Sequence, residues 1–162
     1  MNVFNMIKTY KIFYSTEDFE NAIKSQVFLP KYVKHENFTK IYKNVEIPEV
    51  YVTCWNENNL IGCLKQLCVS TYEYKDYDKN HLSTFYDRTI MYISISDEFK
   101  NKGIGTTLIE KYFNVYKEHN LFDTVVLSPF SVEGFNYIRK KLLNLAYMSN
   151  IPIKDSYCFE CI

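Results

Sequence analysis

The chain has 162 residues, with Lys plus Arg and Asp plus Glu balanced at 19 each, so its formal net charge is zero. That balance argues against a nucleic-acid partner, because phosphate neutralisation supplies most of such affinity. The length suits one domain, taken as residues 1–162, rather than two. No stretch approaches the roughly 20 apolar residues that cross a bilayer. Met1 to Ile7 also lack a charged, secretion-type start, so the expectation is a cytoplasmic protein with no membrane partner.

Five cysteines occur, Cys54, Cys63, Cys68, Cys158 and Cys161. The odd count and scattered positions argue against a disulfide framework. Cys158 and Cys161 have C-x-x-C spacing but no second pair nearby, so no metal site is expected.

Lys11 to Tyr14 reads as a strand, and Ser15 or Thr16 then caps a helix with Glu17 and Asp18 in its first turn. Pro30 breaks the chain, and His35 to Tyr42 suggests a short helix. Val50 to Trp55 is a strand, Asn56 to Asn59 a turn, and Leu60 to Val69 its hairpin partner, with Gly62 interrupting the side-chain pattern. Ser70 to Asp87, polar and tyrosine-rich, reads as a long loop or a hairpin. Thr89 to Ile95 is β-rich. After Gly103, the spacing of Ile104, Leu108, Ile109, Tyr112, Phe113 and Tyr116 predicts a helix with one apolar stripe. Thr124 to Leu127 is a short buried strand. Val132 to Ala146 is a helix with Phe135, Ile138, Leu142 and Leu145 on one face, and Asp155 to Ile162 could be a final strand. The fold class is mixed α/β (α+β) around one sheet.

The segment that carries chemistry runs from Ile93 to Leu108. A strand enters the basic turn Lys100-Asn101-Lys102-Gly103-Ile104-Gly105, which opens into the amphipathic helix. The first N–H groups of a helix lack intrahelical partners and sit at the positive end of its dipole. Gly103 and Gly105 lack Cβ, so an anion such as a diphosphate can approach the main chain. Lys100 and Lys102 add full charge. Neither G-x-x-x-x-G-K-[ST] nor G-x-G-x-x-G is present, since Leu108 stands at the third glycine position.

These residues resemble the coenzyme A loop of the GNAT superfamily of N-acetyltransferases, Q/R-x-x-G-x-G/A. Lys100 takes the Q/R position, Gly103 and Gly105 match, and the resemblance extends over about residues 45–146. It implies a mostly antiparallel central sheet with splayed middle strands, near Ile93–Ile95 and Leu127–Ser128, flanked by helices. It implies acetyl-CoA as cosubstrate, with pantetheine against Ile93 and Ile95 and the Ile95 N–H polarising the thioester carbonyl. The diphosphate would lie on the amides of Lys102, Gly103, Ile104, Gly105, Thr106 and Thr107, beside Lys100 and Asn101. Ser131 stands where relatives often have an asparagine that contacts pantetheine. Many relatives carry a glutamate base on the entering strand, but Ile90 to Ser96 holds none. Tyr137, one residue before the position where relatives place a tyrosine acid, is the candidate acid. Tyr92, Ser94 and His81 are weaker candidates, and nothing visibly activates Cys63 or Cys68.

The implied activity is acetyl transfer to a primary amine, on a small molecule, a peptide N-terminus or a lysine, by direct attack in a ternary complex. The expected assembly is a monomer or homodimer. The alternative is a catalytically inactive module of the same fold that binds acyl-CoA or a protein partner.

Overall fold

Ser15 ends the first strand and starts the first helix by a local bond. With extended backbone, its Oγ accepts the Asp18 N–H at 3.1 Å, and Glu17 and Asp18 occupy the first turn as the dipole favours. The computed structural model describes residues 7–24, 47–75, 82–119, 121, 124–127 and 132–155. At 69–75, 82–87, 124, 126, 127, 132–137, 154 and 155 the description covers main chain only. The predicted helix His35–Tyr42, the Pro30 break, His81, Cys158 and Cys161 lie outside the described residues.

The elements are β1 (Lys8–Phe13), α1 (Thr16–Ile23), β2 (Glu49–Asn56), β3 (Asn59–Lys75), β4 (Leu82–Ile95), α2 (Ile104–Glu118), β5 (Thr124–Leu127), α3 (Val132–Met148) and β6 (Ile153–Asp155). The strands form one sheet in chain order. β1 to β4 are antiparallel, while β5 runs parallel to both β4 and β6. The fold is therefore the expected mixed α/β arrangement, an antiparallel sheet flanked by helices.

Of the long loop or hairpin read over Ser70 to Asp87, the structure has the hairpin pairing: Ser70 pairs with Asp87 and the ladder continues out to Lys75 and Leu82. The β2 ladder stops at Leu67 and the β5 ladder starts at Asp87. This ribbon thus extends past the described ladders of both neighbouring strands. One feature differs from the sequence reading, the last strand. The last described strand is Ile153–Asp155 rather than a segment beginning at Asp155. Its pairing starts where the Val125 N–H donates to the Pro152 carbonyl at 2.9 Å, and 156–162 lie outside the described residues.

The sheet is covered on both faces, and β2 is accordingly buried from Glu49 to Trp55, as a doubly covered strand must be. On one face α2 buries its whole predicted stripe against Val52, Leu64 and Ile90. Each such side chain contributes about 1.5–3 kcal/mol when withdrawn from water. On the other face Phe19 and Ile23 of α1 pack on Tyr51, Trp55, Leu60 and Cys63. The Phe19 and Tyr51 rings stack with centroids 4.4 Å apart.

This second face also buries charge. Glu49 is 3% and Lys65 0% exposed. The Glu49 carboxylate accepts the Thr16 N–H at 2.6 Å and the Thr16 hydroxyl at 3.0 Å, so it sits on the open first turn of α1. The Thr16 oxygen lies 2.8 Å from the Tyr51 hydroxyl, and Lys65 Nζ lies 5.0 Å from the Tyr51 ring centroid. Burial pulls the Lys65 pKa down, and Glu49, Cys63 and Glu20 oppose that. A buried pair tolerates loss of one partner poorly. We expect Glu49→Ala to destabilise the fold by about 3–5 kcal/mol in urea titration, and Lys65→Met in that background to restore part of the loss. A loss below about 1 kcal/mol would mean the pair is solvated.

Burial pushes the Tyr51 phenol well above the tyrosine range and the Cys63 thiol up to about 12. The ordinary values are 10.0 and 9.0, so in this window the unfolded chain releases protons that the native state retains. Stability is therefore complete below about pH 9 and falls as pH rises from there towards the folded values. The lowered Lys65 pKa acts in the opposite direction. The expected result is a Tm that drops steadily above pH 9 with native tyrosinate absorbance delayed. A flat Tm to pH 11 would contradict it.

Candidate functional site

Along β4 the register to β3 shifts twice, and the shift nearer the loop is the one at Met91. Lys65 faces Tyr92 and Gln66 faces Ile90, leaving Met91 as an extra residue, a bulge that bends the strand. The slip also changes which side chains share a face. Strict alternation groups Met91 with Ile93 and Ile95, whereas in the structure Ile90, Ile93 and Ile95 pack under α2 and Tyr92 packs on the α1 side.

Among the described residues, the ladder between β4 and β5 stops at the same point. The β4–β5 ladder covers Asp87 to Ile90 against Thr124 to Leu127, while β4 continues to Ile95. The Ser96 N–H donates to the Ile61 carbonyl at 2.8 Å. Amide directions alternate along a strand, so Ile93 and Ile95 turn their N–H and C=O groups away from β3, towards the side on which β5 pairs with the earlier part of β4. Ser128 lies outside the described residues.

Beyond Ile95, a short turn at Asp97–Phe99 carries the Phe99 N–H to the Ser96 carbonyl at 2.9 Å. Lys100 Nζ lies 3.0 Å from Asp97 Oδ1, on the surface. Asn101 adopts φ +61° and Gly103 φ +81°, the left-handed region that Asn tolerates and Gly enters freely. Lys102 is exposed. Gly103 is the N-cap of α2, with no side-chain cap and no acid in the first turn. The contrast with α1, closed by Ser15 and Glu49, is direct. The first amide committed within the helix is that of Thr107, whose N–H and hydroxyl both donate to the Gly103 carbonyl at 3.1 Å. The amides of Ile104, Gly105 and Thr106 precede it, where a helix supplies no partner of its own.

The two glycines do different work. A Cβ on Gly103 would meet nothing within 4 Å, so its face of the loop is open. A Cβ on Gly105 would lie 3.3 Å from Ile138 Cδ1. That hydrogen-only side admits α3, whereas Gly103 faces open space. Gly62, read from the sequence only as an interruption, admits α2: its Cβ would lie 3.1 Å from both Ile104 Cγ2 and Ile95 Cδ1. The signal for that role was a glycine inside an otherwise apolar strand.

Ile138 packs on the α2 core together with fully buried Leu142 and Ala146, which fixes the rotation of α3. Tyr137 lies in α3 with its side chain outside the described residues. Lys141 and Asn144, close to its angular position, are exposed. Ser131 lies outside the described residues. Ser94 is half-buried. Cys63 and Cys68 are buried, and burial keeps the Cys63 thiol protonated at neutral pH.

The model of the acetyltransferase (GNAT) family matches residues 14–136. No curated protein matches the chain. Among solved structures, a predicted acetyltransferase with acetyl-CoA from Clostridium acetobutylicum is similar at 14% identity, covering 83% of this chain and 88% of that one, with TM-score 0.51. A glucosamine-6-phosphate N-acetyltransferase from Arabidopsis thaliana is similar at 16% identity, covering 82% and 90%, with TM-score 0.45. An aminoglycoside antibiotic 6'-N-acetyltransferase from Acinetobacter haemolyticus is similar at 11% identity, covering 83% and 88%, with TM-score 0.48. The matched span takes in α1, the β2–β4 sheet, the left-handed loop and the open start of α2, and the chain belongs to the GNAT family of acetyltransferases.

Proposed function

We propose that residues 1–162 act as one N-acetyltransferase domain that moves an acetyl group from acetyl-CoA to a primary amine within a ternary complex. The observation that carries this reading is the uncapped start of α2, which follows the end of β4 by one short turn. Such a helix end suits a diphosphate, and the main chain of Ile93 and Ile95, directed away from β3, suits an amide-bearing arm.

In this reading the amides of Ile104, Gly105 and Thr106 hold the diphosphate, and Lys100 and Lys102 add charge. Each charge-assisted bond is worth about 1.5–3 kcal/mol. Asn101 and Gly103 shape the loop, and Thr107 braces it. The pantetheine arm pairs with Ile93 and Ile95 like an added strand, with Ser131 at its far side. The Ile95 N–H polarises the thioester carbonyl. The amine lone pair attacks the carbonyl carbon, the C–S bond breaks, and Tyr137 protonates the leaving thiolate. Ile90 to Ser96 contains no carboxylate, so the amine loses its proton through water rather than through a β4 glutamate.

Calorimetry with acetyl-CoA, followed by thiol release across a panel of amines, tests the reading. Gly103→Val should weaken acetyl-CoA binding at least tenfold while costing only about 1–2 kcal/mol of stability, the strain of one left-handed residue. Gly105→Leu should lower Tm more, because it displaces Ile138. Tyr137→Phe should lower kcat about a hundredfold without changing acetyl-CoA affinity. Unaltered affinity in Gly103→Val would remove the loop from the site. Binding without amine-dependent thiol release would leave a non-catalytic acyl-CoA module.

A further inference from the structure

Gly62 of β3 pairs with Ile95, the last residue of β4 before the loop. A Cβ on Gly62 would lie 3.1 Å from Ile104 Cγ2, 3.1 Å from Ile95 Cδ1 and 3.5 Å from Leu108 Cδ1. Side chains from β4 and from the first turns of α2 thus converge on one point over β3. Two of these residues carry more than packing. The Ile104 N–H opens α2, where the N-cap Gly103 has no side chain. Ile95 closes β4 with its N–H and C=O directed away from β3. Along the chain they are joined only through Ser96 to Gly103, a stretch that includes left-handed Asn101 and Gly103. Across the sheet both meet at Gly62, so packing as well as the loop holds them at a set separation.

We infer that Gly62 is a positioning residue for acetyl-CoA, whose missing side chain sets the distance between the Ile104 amide and the Ile95 main chain. The inference rests on the proposed cofactor placement, in which the first holds the diphosphate and the second the thioester. Gly62 acts through Ile104 and Ile95. A methyl group there would be tighter than nearly all real Cβ contacts and would move its neighbours by a few tenths of an ångström. Ile104 is 1% and Leu108 0% exposed, and a close-packed interior passes such a shift on instead of absorbing it. Two linked ligand portions gain their full advantage only when the linker matches the span between their sites. A changed span therefore weakens the joined cofactor far more than it weakens either half.

Calorimetry on the full chain tests this with three probes: acetyl-CoA, ADP for the diphosphate half and S-acetylpantetheine for the thioester half. The two halves are measured by displacement of acetyl-CoA. Gly62→Ala should raise the acetyl-CoA Kd about tenfold, while the constants for both halves stay within about twofold of wild type. Ile95→Val added to Gly62→Ala removes the Cδ1 atom that the new methyl meets, and should restore part of the lost affinity. Partial unfolding of a variant lowers the binding stoichiometry and not the Kd, so the two effects separate within one titration. Wild-type acetyl-CoA affinity in Gly62→Ala would overturn the inference and leave the cofactor placement intact. So would a loss for either half as large as the loss for acetyl-CoA, because Gly62 would then only support the fold. A wild-type chain that binds no acetyl-CoA would overturn the placement itself and this inference with it.

Discussion

The first turn of α2 rests in the space that Gly62 leaves empty. A methyl group there would press on Ile104 and Ile95 at 3.1 Å, and overpacking of that kind lifts an element rather than compressing it. The height of α2 over β3 therefore follows from one missing side chain. The position of the open helix end relative to the edge of β4 follows in turn. α3 is held by the same device, with Ile138 seated on Gly105.

The opposite face of the sheet is organised by charge instead of close approach. Glu49 and Lys65 are buried there with Thr16 and Tyr51. The carboxylate satisfies the N–H of Thr16 that begins α1, and the neighbouring lysine offsets its charge. Such a network specifies one docking of α1, because any other placement leaves a charge without water or partner. Apolar packing of Phe19 on Tyr51 then adds stability to a geometry already selected.

The starts of α1 and α2 face the same demand, yet they meet it differently. Buried main-chain donors are almost always paired in folded proteins. At α1 the side chains of Ser15 and Glu49 supply the partners. At α2 no side chain caps the end, no acid occupies the first turn, and the flanking lysines raise its positive potential. Among the described residues, the main chain of Ile93 and Ile95 is directed away from β3 beyond the end of the β4–β5 ladder, a second place where backbone polarity faces outward from the sheet's pairing.

Much of this was written in local sequence. The α2 stripe, the Ser15 cap, the β2–β3 hairpin and the glycine-containing turn all rest on periodicity or on single-residue conformational preference, and both act within a few residues. The open helix end was legible for the same reason, as a capping residue is either present nearby or absent. Tertiary structure decided the rest. Alternation cannot reveal the bulge at Met91, because an extra residue is defined only by the partner strand. The sequence from Ser70 to Asp87 is polar and tyrosine-rich, which left loop and hairpin both open until the partner strand was seen. The separate duties of Gly62, Gly103 and Gly105 depend on what lies across the missing Cβ. Contacts between residues distant in sequence are set by packing, and a single chain's local pattern does not contain them.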